Sequence, residues 1–337
     1  MATMQARIAE LSRRQIAEFF SDNASTTQEQ CNQTAEQILG RRVCPAPVQG
    51  STSYTVVPDD DVGECVVQYR ASDSSLDLDF LRCIEQTYGR FVPRHWDSGR
   101  LGKLHIYTMG NVGGVSVYLA LDQLHGNHCY LLRQTLQDFA NFFASAWHNT
   151  PASMPSPSRE ELYSDYSSRL SQLSRGLPER FHPTLKRLIS NLPGLFAEDW
   201  PLVPNHTDLL ENNIHVHRET GRITGICDWK DTTIGPFGTS LGGLETLLGI
   251  RTREDGWRYH VNQGGLRDLF WKAFYSAMGP VSPEQMDRIE DARLVGIFLD
   301  NGFVYVNAKD QVPVSEGSFN LKYLEAVTLR LWASTGH

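Results

Sequence analysis

The chain has 337 residues, of which 40% are hydrophobic, and a formal net charge of -8. That length suffices for two lobes of ordinary domain size, and the composition is that of a globular rather than a disordered protein. The acidic balance with scattered Lys and Arg argues against nucleic acid as a partner, and no apolar run approaches the roughly 18 residues of a membrane span. The charged amphipathic stretch from Met1 to Phe20 lacks the apolar core of a signal peptide. Six cysteines without a CxxC pair read as reduced thiols, so a cytoplasmic location is expected. No membrane association and no protein partner are evident.

In chain order, residues 1–40 predict one or two helices, the second running from Thr27 to Leu39 before Gly40. From Cys44 to about Leu121 the pattern turns to short strands. Val56-Val57 and Cys65 to Arg70 flank the turn Asp59-Asp60-Asp61-Val62-Gly63 as a hairpin. Leu76, Phe80 and Ile84 have helical spacing, and that helix stops near Gly89. Leu104 to Met109 is a further strand, followed by Gly110, Gly113 and Gly114. Beyond about Gln123 the chain is mainly helical, with a Pro- and Ser-rich loop from Thr150 to Pro157. Ser282-Pro283-Glu284-Gln285 is a helix start, with Ser as N-cap and Gln placed for a capping box. The expected fold class is α+β.

The chemistry concentrates in His206-Thr207-Asp208-Leu209-Leu210-Glu211-Asn212-Asn213 and, further on, Asp228-Trp229. Ile214 to His217 and Ile223 to Cys227 are two short β-branched runs around a polar turn, and pairing them returns Asp228 beside Asn213. An Asp, an Asn five positions later and a second Asp after a hairpin form the layout of a phosphoryl-transfer loop. Hard oxygen donors from one amide and one carboxylate suit Mg²⁺ shared with substrate phosphates.

These motifs resemble those of the aminoglycoside phosphotransferase and choline kinase-like family of small-molecule kinases. His206-Thr207-Asp208-Leu209 and Asn213 fill the family's H-G-D-L-x-x-x-N pattern, with Thr207 in place of Gly. Cys227-Asp228-Trp229-Lys230 with Gly235-Pro236 is similar to its second signature. The resemblance implies a bilobal protein-kinase-like fold, with a strand-rich N-terminal lobe over residues 1–110 and a helical C-terminal lobe over 111–337. It further implies ATP or another nucleoside triphosphate, Mg²⁺ and a small-molecule acceptor. Asp208 would be the catalytic base, and Asn213 and Asp228 would hold the metal. Gly50, Ser51, Thr52 and Ser53 would form the phosphate-covering loop, and Met109 would lie on the nucleotide side at the end of the hinge-like strand.

Two departures stand out. The strand Val66 to Arg70 lacks the expected Lys; alternation puts Gln68 and Arg70 on one face, Gln68 at the Lys position and Arg70 as its only cation. Its expected partner is Asp79 or Glu85 on the next helix. After Gly235-Pro236, Ser240 stands where the family has a bracing Asp. Gly238-Thr239-Ser240-Leu241-Gly242 also matches a nucleophile elbow; Thr233 to Pro236, read as a turn, argues against one. The expected function is ATP-Mg²⁺-dependent phosphoryl transfer to a small-molecule hydroxyl. The alternatives are a pseudokinase-type binding protein and an ATP-independent metabolite enzyme.

Overall fold

A computed structural model describes residues 4–60, 63–151, 154–252, 255–307 and 310–329. The chain divides into two compact units. The first comprises Met1–Glu85, Gly89–His128 and Asn212–Lys230; the second comprises Gln86–Tyr88, Cys129–Glu211 and Asp231–His337.

In the first unit, α1 (Met4–Asp22) and α2 (Gln28–Leu39) precede a five-stranded antiparallel sheet. Thr27 and Gln30 close a capping box at the start of α2, and Gly40 ends it in the left-handed conformation. The strands are β1 (Val43–Pro45), β2 (Ser53–Pro58), β3 (Cys65–Arg70), β4 (His95–Leu101) and β5 (Leu104–Gly110), in the order β1-β2-β3-β5-β4. The expected hairpin of β2 with β3 is present; Asp61 and Val62 of its turn lie outside the described residues. Between β3 and β4 runs α3 (Leu78–Tyr88), capped by Asp77.

Strand alternation sorts this sheet into two unlike faces. Tyr54, Val56, Val67, Tyr69, Leu104 and Ile106 are buried against Phe19, Cys31 and Ala35 of the two helices. Each such side chain contributes roughly 1.5–3 kcal/mol on burial. The Tyr54 and Tyr69 hydroxyls are satisfied by the Asn32 side chain and the Cys31 carbonyl, at 2.7 and 2.6 Å. The other face carries Ser53, Thr55, Gln68, Arg70, Tyr107 and Met109 in adjoining register positions. Edge strand β4 is polar and bulged between Asp97 and Arg100, so its sequence shows no apolar alternation.

A small second sheet in this unit joins β6 (Val115–Ser116), β8 (Ile214–Val216) and β9 (Ile223–Ile226). The β8–β9 hairpin is the one its β-branched runs predict, and Cys227 donates its N–H to the Asn213 carbonyl at 2.9 Å. From β6 the chain enters α4 (Val117–His148), where Asn127, His128 and Cys129 take left-handed backbone angles as the chain passes into the second unit.

That unit is helical, with α5 (Arg159–Gly176), α6 (His182–Leu195), α7 (Leu244–Leu248), α8 (Gln263–Met278), α9 (Pro283–Asn301) and α10 (Phe319–Leu324). Phe139 of α4 stacks on Phe142 and meets Phe270 at a tilt, Phe143 meets Phe270 edge to face, and Phe237 stacks on Phe274. Ser282 and Gln285 form the capping box expected at α9.

Two strands, β7 (Leu202–Asn205) and β10 (Thr233–Pro236), pair antiparallel in this unit. Thr233–Pro236 is therefore a strand and not the turn its Gly-Pro suggests. Pro236 ends it, and its pairing with Leu202 is a tertiary event that local propensity does not carry. The unit also contains β11 (Gly249–Ile250) paired with β12 (Arg258–Tyr259) as a separate two-stranded ribbon.

Candidate active site

On the open face of the first unit's sheet, Arg70 is 4% exposed although it is a guanidinium. A charge buried that far must be met by polar groups. Its Nε donates to Gln68 Oε1 at 2.5 Å, and its terminal nitrogens reach Thr52 Oγ1 at 3.4 Å, the Ser74 carbonyl at 3.5 Å and Asp228 Oδ1 at 3.9 Å. Gln68 in turn donates to Thr55 Oγ1 at 3.0 Å, so its amide is fixed with the oxygen toward Arg70. The residue at the expected Lys position thus acts as a bracket for the cation two places on.

The helix carboxylates do not take part. Glu85 pairs with Arg94 at 2.7 Å, and Asp79 pairs with Arg82 one turn along α3. The expected Asp79 or Glu85 partner for Arg70 is corrected: Arg82 and Arg94, nearer along the chain, pair with those carboxylates, and Arg70 meets Gln68 and Asp228 instead. Asp228 is a non-glycine residue at φ 64°, and its neighbour Trp229 is anchored by an indole N–H to the Ile226 carbonyl at 2.7 Å. A left-handed Asp costs on the order of 1 kcal/mol, which the buried Trp229 and the β8–β9 hairpin sustain. Asn213 is buried, its backbone tied to Cys227 and its Oδ1 accepting from Asn212.

The loop before β2 is anchored at one end and open in the middle. Gln49, buried, bridges the Ala46 and Thr55 backbones, while Gly50, Ser51 and Thr52 are exposed and Ser53 is buried opposite Arg70. Thr52 is held at both ends of its residue, by Arg70 at the hydroxyl and by Ser74 at the carbonyl, 3.1 Å. Met109 is half-buried at the end of β5, paired across to Val66 and His95. Burial pushes the His95 imidazole down to about 4, a backbone bond at Pro93 opposes this, and the Arg70 charge adds to it.

In the second unit, Asp208 is exposed while its backbone N–H is held by Nδ1 of the buried His206 at 3.0 Å. That bond requires the Nδ1 lone pair, so the ring carries its proton on Nε2 when neutral. The carboxylate thus projects from a fixed backbone.

Sequence reasoning missed Asn205, which supplies the brace sought at Ser240. Its buried amide donates to the Val203 and Gly235 carbonyls at 3.0 and 3.2 Å and accepts the Ser240 N–H at 3.2 Å. An Asn at the end of an apolar strand, just before His206, is the signal that was available. The nucleophile-elbow match has a packing explanation. Gly238 takes φ 101°, and a Cβ on Gly242 would lie 2.7 Å from Ile297 of α9. Ser240 contacts no histidine among the described residues.

Two units, one built on an antiparallel sheet and one on helices, with an Asp loop and an Asn–hairpin–Asp element, define the kinase-like class of phosphotransferases. The chain belongs to the phosphotransferase enzyme family (APH), which matches residues 90–271, and small-molecule phosphoryl transfer is its reaction class. The matched stretch contains Asp208, Asn213 and Asp228 but not Gln68 or Arg70. Among solved structures the chain is similar to a protein from Ralstonia eutropha assigned as an aminoglycoside phosphotransferase, with 12% identity over 84% of this chain and 88% of that one and a TM-score of 0.50. It is also similar to a choline/ethanolamine kinase family protein from Mesorhizobium loti, with 14% identity over 81% and 83% and a TM-score of 0.49. A third, an aminoglycoside phosphotransferase from Streptomyces rimosus in complex with ADP and streptomycin, has 14% identity over 75% and 91% and a TM-score of 0.42. No curated protein sequence matches this chain.

Proposed function

We propose that the protein is an ATP- and Mg²⁺-dependent phosphotransferase acting on a hydroxyl of a small molecule, with residues 1–110 as nucleotide-binding lobe and 111–337 as the lobe of the catalytic loop. The observation that carries this reading is the buried Arg70 guanidinium, bracketed by Gln68, touching Thr52 of the glycine loop and facing Asp228. In a kinase the strand cation binds phosphate and the second Asp binds metal, so the two belong side by side. Here an Arg fork, always charged, would replace the Lys ammonium.

Asn213 and Asp228 are the donors that fit the metal: an amide and a carboxylate oxygen at the foot of one hairpin. Among the described residues no three His, Cys, Asp or Glu side chains converge on one point. Two hard donors with substrate phosphates completing the sphere are what Mg²⁺ requires. When bound, the ion would neutralise charge on the transferring phosphoryl group. Gly50, Ser51, Thr52 and Ser53 would present backbone N–H groups to the phosphates, and Met109 would flank the base. Asp208 would orient the acceptor hydroxyl and receive its proton. A loose phosphoryl-transfer transition state asks for positioning more than for strong basicity, so an exposed carboxylate suffices.

The test is thermal denaturation of the full chain with ATP and Mg²⁺, ATP with EDTA, GTP with Mg²⁺, and ADP. Ligand at about 100 times its Kd stabilises by roughly 2.7 kcal/mol. A midpoint raised by ATP only when Mg²⁺ is present supports the reading; a midpoint that no nucleotide moves overturns it.

A further inference from the structure

The open face of the first unit's sheet has two ends. At one, Ser53, Arg70 and His105 lie in register across β2, β3 and β5; at the other, Val66, Met109 and His95 lie in register across β3, β5 and β4. The steps from Arg70 back to Val66 span about 13 Å of strand. An extended nucleoside triphosphate separates its phosphates from the far edge of its purine over a comparable length. With the phosphates at Arg70, the base falls beside Met109. The side chain next to Met109 across the ladder, about 5 Å away at Cβ, is the His95 imidazole.

Other polar side chains of this face are committed within it or to the adjoining backbone. Gln68 spends its amide on Thr55 and Arg70, and the Tyr107 hydroxyl accepts the Leu76 N–H at 3.0 Å. His95 is half-buried, and its ring N–H goes to the Pro93 carbonyl. A neutral imidazole has one donor and one acceptor, so the second nitrogen keeps a lone pair. Burial and the Arg70 charge both oppose protonation of the ring, which therefore remains an acceptor at neutral pH. Among the described residues no donor meets that lone pair.

We infer that His95 reads the nucleobase, its lone pair accepting the exocyclic amino group of adenine, and so selects ATP over GTP. This rests on the nucleotide-binding reading of Arg70 and the loop before β2. Guanine carries a carbonyl where adenine has that amino group, and would set two acceptors against each other in a half-buried place. Turning the ring to offer its N–H would leave the Pro93 carbonyl facing a lone pair instead.

Calorimetric titration of the full chain with ATP, GTP and purine riboside triphosphate, each with Mg²⁺, tests this. Purine riboside triphosphate lacks only the amino group, so ATP should bind about ten-fold more tightly than it does. His95→Leu should weaken ATP by about ten-fold and leave purine riboside triphosphate nearly unchanged, whereas a merely structural role would weaken both alike. His95→Gln can present either an oxygen or an amide N–H, so it should keep part of the ATP affinity and bind GTP more tightly than the unmodified chain does. Equal losses for ATP and purine riboside triphosphate in His95→Leu would overturn the inference. An ATP-to-GTP preference unchanged in His95→Gln would overturn it as well, and that variant decides alone if His95→Leu does not unfold cooperatively. The phosphotransferase reading fails separately: then no nucleotide binds the unmodified chain, whereas nucleotides that bind without regard to His95 sink only the base-reading role.

Discussion

Arg70 and Asp228 face each other across 3.9 Å, one supplied by the third strand of the sheet and the other by the foot of the β8–β9 hairpin. The pair joins residues 158 positions apart in sequence, and it makes the nucleotide-binding hypothesis concrete. Arg70→Ala should lose about 1.5–3 kcal/mol of charge-assisted bonding to ATP, a ten- to hundred-fold rise in Kd. Gln68→Lys should be tolerated, because the bracket position lies on the same face. ATP affinity unchanged in Arg70→Ala, measured by calorimetry, would remove Arg70 from the site.

Asp228 sits at positive φ, so the informative replacement is Asn, which tolerates that conformation and keeps an oxygen while losing the charge. Asp228→Asn should bind ATP with an affinity that no longer responds to Mg²⁺. Titrations with and without EDTA decide it: a Mg²⁺ response equal to that of the unmodified chain means that the metal is held elsewhere.

Asp208 acts on the chemical step if it positions the acceptor. Asp208→Asn should keep nucleotide Kd within a few-fold and lower kcat by about 10²-fold or more. The comparison of kcat with Kd is the discriminating readout, since a merely structural loop residue would shift both. Full turnover in this variant places the chemistry at another residue.

Asn205 ties β7 to β10 and to the Ser240 turn through a buried amide. Asn205→Ala leaves the Ser240 N–H and two carbonyls short of a partner, at a cost of about 2–4 kcal/mol. Its denaturation midpoint should fall and its kcat should drop, while ATP affinity is retained. Urea melts together with an ATP titration check this, and a stability within about 0.5 kcal/mol of the parent would show that water replaces the brace.

His95 supplies a pH signature. Its folded value of about 4 lies below the ordinary 6.5, so between those pH values the unfolded chain takes up a proton that the fold refuses. Stability contributed by neutral His95 is complete above pH 6.5 and is lost as pH falls toward 4, by at most about 1.4 kcal/mol per unit. His95→Gln should flatten the acid limb of stability against pH; an identical slope in both proteins would show that His95 titrates normally.

The sequence by itself determined the local elements and the spacing of the loop residues. Thr27 with Gly40 and Ser282 with Gln285 mark helix ends, because capping is satisfied within a few residues. Alternation in Val66–Arg70 put Gln68 and Arg70 on one face, since a strand's period is fixed by covalent geometry. The spacing of Asp208, Asn213 and Asp228 was readable for the same reason, as a short hairpin returns its ends locally. Only the tertiary structure decided which partners those groups take. Glu85 and Asp79 were plausible for Arg70, yet Arg94 and Arg82 claim them, because pairing depends on distances across elements that no local pattern encodes. Thr233–Pro236 became a strand, and Asn205 a brace, through pairing between segments about thirty residues apart. Backbone register is a local property of the chain; the choice among competing charged and hydrogen-bonding partners is made only when distant segments close on one another.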